Sequence, residues 1–350
     1  MSLDHRLSAE HEELRRTVEA FAHDVIAPKI GDLYERHEFP YEIVREMGRM
    51  GLFGLPFPEE YGGMGGDYLA LGIALEELAR VDSSVAITLE AGVSLGAMPI
   101  HLFGTEEQKR EWLPRLCAGE ILGAFGLTEP GAGSDAGGTR TTARLDEATD
   151  EWVINGGKCF ITNSGTDITG LVTVTAVTGR KPDGSPLISA IIVPSGTPGF
   201  TVAAPYSKVG WNASDTRELS FDEVRVPAAN LLGEQGRGYA QFLRILDEGR
   251  IAIAALGTGL AQAASTSRSS TPPNATPSAS PSAPTRPSSS RSPTWTPAPT
   301  PPASPGATPP AAWSPANPSR SRPPPPSSTP PPSPSTTPAT PPRSTAATAS

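Results

Sequence analysis

Residues 125–165 read FGLTEPGAGSDAGGTRTTARLDEATDEWVINGGKCFITNSG, and the fold turns on how this stretch is read. Its first part, residues 127–135, is a glycine-rich turn with a hydroxyl towards each end. Gly131 and Gly133 let backbone N–H groups come close to a ligand, and Thr128 and Ser134 add donors that can rotate to meet it. The second part, residues 152–163, reads as a strand, an Asn155-Gly156-Gly157 turn and a returning strand. Asn and Gly tolerate the positive φ that tight hairpins need. Taken singly, each motif is also compatible with a plain loop and a surface hairpin.

The β texture continues outward from this stretch. Period-two runs at 171–177 and 187–194, separated by Gly, Pro, Asp and Asn, predict a β-sandwich or small antiparallel barrel. Upstream the pattern is helical. Leu14, Val18, Phe21 and Val25 recur at helical spacing after Ser8, and Pro28 is expected to limit that helix. Pro40 opens a second helix with Ile43, Met47 and Met50 on one face and Gly51 as its C-cap. The glycine-rich loop at 62–66 lacks the Lys and the strand of a phosphate-binding loop and is read as structural. Helices follow at 68–80 and 84–102, the second apolar all round, as befits a helix buried on several sides. Thr105 and Gln108 form a capping box for a short helix ending near Gly119. Downstream, helical periodicity returns at Gly238 and runs through Leu243, Leu246, Ile251 and Leu256 to Ala264.

Composition divides the 350 residues sharply. The first 264 carry 22 Lys+Arg against 37 Asp+Glu, and the remaining residues, 265–350, carry six Arg and 27 of the 40 prolines. That tail has no Leu, Ile, Val or Phe, so it cannot bury enough surface to offset its ordering entropy and is expected to be disordered. An acidic body of this size argues against nucleic acid or an anionic membrane as partner, and no membrane span is expected. Cys117 and Cys159 give no disulfide framework and fit a reducing compartment, taken as the cytoplasm. The histidines have no metal-ligand spacing, so no metal site is expected.

Together and at this spacing, the two motifs resemble the signature of the acyl-CoA dehydrogenase family, over about residues 7–264. The resemblance implies an α+β multidomain fold. Its parts are an N-terminal all-α domain (1–120), a middle antiparallel β-barrel or sandwich domain (121–231), the first helix of a C-terminal bundle (232–264) and the disordered tail (265–350). It implies FAD as cofactor, held by Phe125, Leu127, Thr128, Gly133, Ser134, Phe160, Ile161 and Thr162, with residues 211–221 helping to frame it. The implied chemistry is α,β-dehydrogenation of an acyl-CoA thioester in fatty-acid β-oxidation, with electrons passed to an electron-transfer flavoprotein. Ser134, Asp247 and Arg250 match substrate-contacting positions, and members assemble as homotetramers. An i,i+3 ion pair on a solvated face is the other reading of Asp247 and Arg250. Acyl chain length, and dehydrogenase against oxidase, stay open.

Two departures from the family pattern matter. Most members carry the catalytic Glu in the C-terminal bundle, which residues 265–350 do not resemble. Isovaleryl-type members carry it on the helix matched here at 247–250, where this chain has Gly249, and Glu248 is turned away by about 100°. The catalytic base is therefore expected to be absent and the chain inactive, with weak flavin binding. The favoured reading of the tail is a frameshift product. Displaced codons permit the peptides YATERHAFGKPI and IADMDTR, which resemble the family. A Pro-rich interaction tail on a non-catalytic scaffold is the alternative.

Overall fold

The computed structural model describes residues 7–269. Residues 265–269, expected to begin the disordered tail, still belong to the last helix, whereas residues 270–350, and with them the other readings placed on the tail, lie outside the described residues. The chain opens with α1 (Ala9–Phe21), capped by the Ser8 hydroxyl accepting from the His11 N–H. A π-helical turn, Ala22–Ile26, then leads directly into α2 (Ala27–Arg36). Pro28 thus does not end the helical path, contrary to expectation. The wider turn, closed by the Ala27 N–H on the Ala22 carbonyl, absorbs the proline that a regular helix would exclude. The next helices are α3 (Tyr41–Arg49) and α4 (Tyr68–Val81), with Gly51 at φ 74 after the former. They are followed by α5 (Ser83–Glu90), a second π segment (Ala91–Ala97), α6 (Met98–Phe103) and α7 (Glu106–Cys117). The capping box of Thr105 and Gln108 is present in both directions. Ser83–Phe103 is long and apolar enough to cross a membrane by length and composition. However, 83% of its most apolar window is buried within the fold, as in a core helix.

Eight strands follow: β1 (Leu122–Gly126), β2 (Thr142–Asp146), β3 (Glu151–Thr162), β4 (Thr169–Arg180), β5 (Pro186–Pro194), β6 (Phe200–Val202), β7 (Thr216–Pro227) and β8 (Leu231–Leu232). They pair in the order β6-β7-β3-β2-β4-β5-β8, with β1 also on β4. Antiparallel pairing dominates, while β1 and one residue of β2 run parallel to β4. A core of Trp152, Ile154, Ile161, Val172, Val174, Ile191, Leu219, Phe221 and Val224 fills the space between the strands.

The expected hairpin at 152–163 is not there. Residues 151–162 form one unbroken strand, paired on one side with β2 and on the other with β7, which comes from far along the chain. The glycines serve a bulge instead of a turn. A Cβ at Gly156 would lie 2.5 Å from the Thr141 hydroxyl, so the strand passes Thr141 only because that Cβ is missing.

The last described element is α8 (Gly238–Ser269), packed on α4. Its buried stripe is Phe242, Ile245, Ala252 and Leu256, with Gly249 and Gly259, whereas Leu243 and Ile251 are exposed. The face expected from Leu243 and Ile251 is therefore the outward one. Where α8 crosses α4, Gly259 and Ala255 let the two helices approach, and these small residues add little hydrophobic signal to that of Phe242, Ile245 and Leu256.

Candidate functional site

Strand β1 delivers the chain to the glycine-rich turn. It crosses the second π segment at a glycine–glycine contact, where a Cβ on Gly123 would lie 2.8 Å from the Gly96 Cα. Phe125 is buried and its ring lies 5.3 Å from that of Phe242 on α8, so β1 is tied to both flanking helical segments. Past Gly126 the strand pairing ends. The turn then closes on itself through paired backbone bonds between Glu129 and Ala132.

Three consecutive residues of this turn are fixed by two consecutive residues of β3. The Cys159 N–H donates to the Thr128 carbonyl at 2.9 Å. The Lys158 ammonium donates to the Leu127 carbonyl at 3.1 Å and to Glu129 Oε1 at 2.7 Å. It also reaches the hydroxyls of Thr139 and Thr175, at 3.0 and 3.1 Å. Lys158 is fully buried and the Glu129 side chain nearly so. Burial would raise the Glu129 carboxyl, but bonds from Lys158, Thr139 and the Arg140 N–H outweigh it and hold the group at about 2. Burial pushes the Lys158 ammonium down to about 8, against the pull of Glu129. Sequence reasoning passed over this pair, although Glu129 and Lys158 stand inside the two motifs.

Around this anchor the expected cofactor residues are placed unevenly. Thr128 and Leu127 are half-buried, and Gly133 and Ser134 are exposed. A Cβ built at Gly131 or Gly133 meets nothing within 4 Å, so the turn borders open space. Phe160 is 64% exposed at φ 60, a conformation that costs an aromatic residue energy, and its ring lies 5.0 Å from that of Tyr206, tilted by 31°. Ile161, by contrast, points into the β core. Thr162 is half-buried and ends β3. The hydroxyls of Thr128, Ser134 and Thr162 have no partner in the hydrogen-bond pattern of the described residues, whereas most neighbouring threonines do. Free hydroxyls, an outward aromatic ring and open space beside glycines suit a planar heteroaromatic group with a polar edge, and so fit a flavin.

The turn after β3 ties this edge to the helices. Asn163 donates to the Thr88 carbonyl of α5 at 3.0 Å. Asp215 accepts from the Gly165 N–H and pairs with Arg217 at 2.6 Å. Trp211, from the segment expected to frame the cofactor, sits at φ 54 and donates to the Ser83 hydroxyl at 3.1 Å.

On α8, Asp247 and Arg250 pair with each other at 3.2 Å and are both more than 70% exposed. Among the described residues no hydrogen bond or ion pair joins them to the glycine-rich turn. Gly249 is buried between them and faces α5. A Cβ there would stand 3.5 Å from Glu90 Oε1. Glu90 was not singled out from the sequence. Its burial pushes the carboxyl up to about 7, opposed in part by the Ser94 hydroxyl. Among the described residues no group of His, Cys, Asp and Glu is arranged to hold a metal ion.

Comparison with known proteins agrees with this geometry. A family model described as "Acyl-CoA dehydrogenase, N-terminal domain" matches residues 8–120, and one described as "Acyl-CoA dehydrogenase, middle domain" matches 124–224. The chain is 51% identical over 262 residues to "Probable acyl-CoA dehydrogenase YngJ" of Bacillus subtilis, covering 75% of this chain and 68% of that one. Among solved structures it resembles butyryl-CoA dehydrogenase from Megasphaera elsdenii (TM-score 0.70, 42% identity, 75% of this chain and 68% of that one). It also resembles a chain in a structure of the electron transferring flavoprotein of Acidaminococcus fermentans (TM-score 0.71, 41% identity, 75% and 68%). A third is an acyl-CoA dehydrogenase complexed with FAD from Bacillus anthracis (TM-score 0.67, 39% identity, 72% and 42%).

Proposed function

This chain belongs to the acyl-CoA dehydrogenase family of oxidoreductases, and on that premise we propose that its fold serves the FAD-dependent conversion of acyl-CoA thioesters to trans-2-enoyl-CoA. FAD is the cofactor, and when bound it supplies the acceptor for the hydride leaving Cβ of the substrate. The electrons pass on to an electron-transfer flavoprotein, a reading supported by the likeness to the chain in the A. fermentans structure. The observation that carries the proposal is the anchored turn of 127–135 beside the exposed Phe160 ring, with three free hydroxyls at its edge.

In this reading Thr128, Ser134 and Thr162 meet the polar edge of the flavin. Phe160 covers part of its plane, and Leu127 and Phe125 close the apolar side. Gly133 keeps the backbone low enough for close approach. Ser134, Asp247 and Arg250 take the thioester and CoA end of the substrate. The α-proton needs a carboxylate within hydrogen-bond reach. At the position matched to the isovaleryl-type base stands Gly249, which offers none, so the described residues supply the flavin and substrate sides of the reaction without its base.

The test is a dye-linked turnover assay with excess FAD and short or medium acyl-CoA, on the wild type and on Gly249→Glu. The expected result is no turnover in the wild type and measurable turnover in the variant. Wild-type turnover at an ordinary enzymatic rate, about 1–1000 s⁻¹, would show that a base is present. Its loss in Glu90→Gln would then locate that base at Glu90. Failure of acyl-CoA to perturb the flavin spectrum in either protein would overturn the proposed function itself.

A further inference from the structure

We propose that Lys158 is a positioning residue for the flavin site, whose ammonium fixes the Thr128 hydroxyl by holding the residues on either side of it. The inference rests on the flavin reading given above. Lys158 takes the Leu127 carbonyl and the Glu129 carboxylate, while the neighbouring Cys159 N–H takes the carbonyl of Thr128 itself. The residue after that is the exposed Phe160. One short run of β3 therefore sets both the hydroxyl and the ring that would meet the cofactor. The anchor is also braced from behind. Thr175 on β4 accepts from Lys158 and donates to the Gly126 carbonyl, and Glu129 accepts from Thr139 and from the N–H groups of Arg140 and Thr141.

A buried ion pair is a poor way to gain stability, because desolvating both charges costs about as much as their attraction returns. What such a pair does provide is direction. Three donors on one nitrogen and two acceptor oxygens with all their bonds made leave the turn a single arrangement. An apolar pair would fill the same space but leave the Leu127 carbonyl without its donor and the turn held by backbone bonds alone.

The experiment compares five proteins: the wild type, Lys158→Met, Lys158→Met with Glu129→Gln, Thr128→Val, and the double variant with Thr128→Val added. Thermal melting reports the fold, and FAD affinity and the visible spectrum of bound flavin report the site. Lys158→Met alone is expected to melt early, since it strands a buried carboxylate. The double variant recovers much of that loss, because no uncompensated charge remains. Its FAD affinity nevertheless stays about tenfold below wild type, the equivalent of one hydrogen bond, and its flavin spectrum matches that of Thr128→Val. Adding Thr128→Val to the double variant then changes nothing further. The inference is overturned if the double variant binds FAD like the wild type, or if Thr128→Val adds its full effect on top. A double variant that does not fold also overturns it, by making the pair a structural requirement. If the wild type itself binds no FAD, the flavin reading fails, and this inference with it.

Discussion

Among single residues, Glu90 makes the clearest claim about energetics. Its carboxyl is buried against Gly249, and burial raises it from its ordinary 4.5 to about 7. Between pH 4.5 and 7 the folded chain keeps a proton that the unfolded chain has lost, so this group takes stability away as pH rises through that window. Above pH 7 the whole cost of a buried charge is present. Glu90→Gln should therefore raise thermal stability above pH 7 by about 1–3 kcal/mol and leave it unchanged below pH 4.5. Melting curves at pH 4 and pH 8 check this, and an equal effect at both would refute it. A residue tolerated at such cost beside a candidate site is the usual mark of a functional compromise. In the sequence Glu90 looked like one more glutamate in an apolar helix, because burial depends on which helices cross it. Thr128 and Phe160 were legible through motif and resemblance. The Glu129–Lys158 pair that orients them is non-local and was not.

Among the elements, α8 shows where periodicity misleads. Leu243 and Ile251 set the apparent hydrophobic face, yet α8 meets α4 at Gly259 and Ala255 and meets Glu90 of α5 at Gly249. A small-residue seam transmits no hydropathy signal, and only the packing reveals it. Two glycines two residues apart should respond in opposite senses. A Cβ at Gly259 would lie 2.1 Å from the Glu76 carbonyl oxygen, so Gly259→Ala must lift α8 off α4 and should destabilise by about 1–3 kcal/mol. A Cβ at Gly257 meets nothing within 4 Å, so Gly257→Ala should stabilise the helix by up to about 1 kcal/mol. Denaturant unfolding of the two variants tests the seam directly, and a loss at both positions would contradict it. Strand β3 carries a similar lesson. Asn155-Gly156-Gly157 has turn chemistry, but the strand pairs with β7 and the glycines make room for Thr141. Local turn propensity gave way to a long-range pairing.

In the whole molecule, the helical part and the strands converge on one edge. Phe125 meets Phe242 of α8, Asn163 meets α5, and Lys158 holds the glycine-rich turn between them. The α+β layout was readable from the change of period near residue 121, since helical and strand spacings differ plainly. What stayed hidden was the set of contacts joining the layers, each of which depends on residues far apart in the chain. On α8, Ile251, Ile253 and Leu260 are left exposed, and Ile251 borders a cavity shared with Tyr68, Leu69 and Gly72 of α4. Residues 125–165 are the proposed seat of the flavin, and every other assignment depends on that placement. The most direct measurement is a titration of the purified chain with FAD, followed by flavin fluorescence, alongside Thr128→Val and Phe160→Ala. The account predicts weak but saturable binding, one FAD per chain, reduced about tenfold by either substitution. Binding that fails to saturate, or that both variants leave untouched, would contradict it.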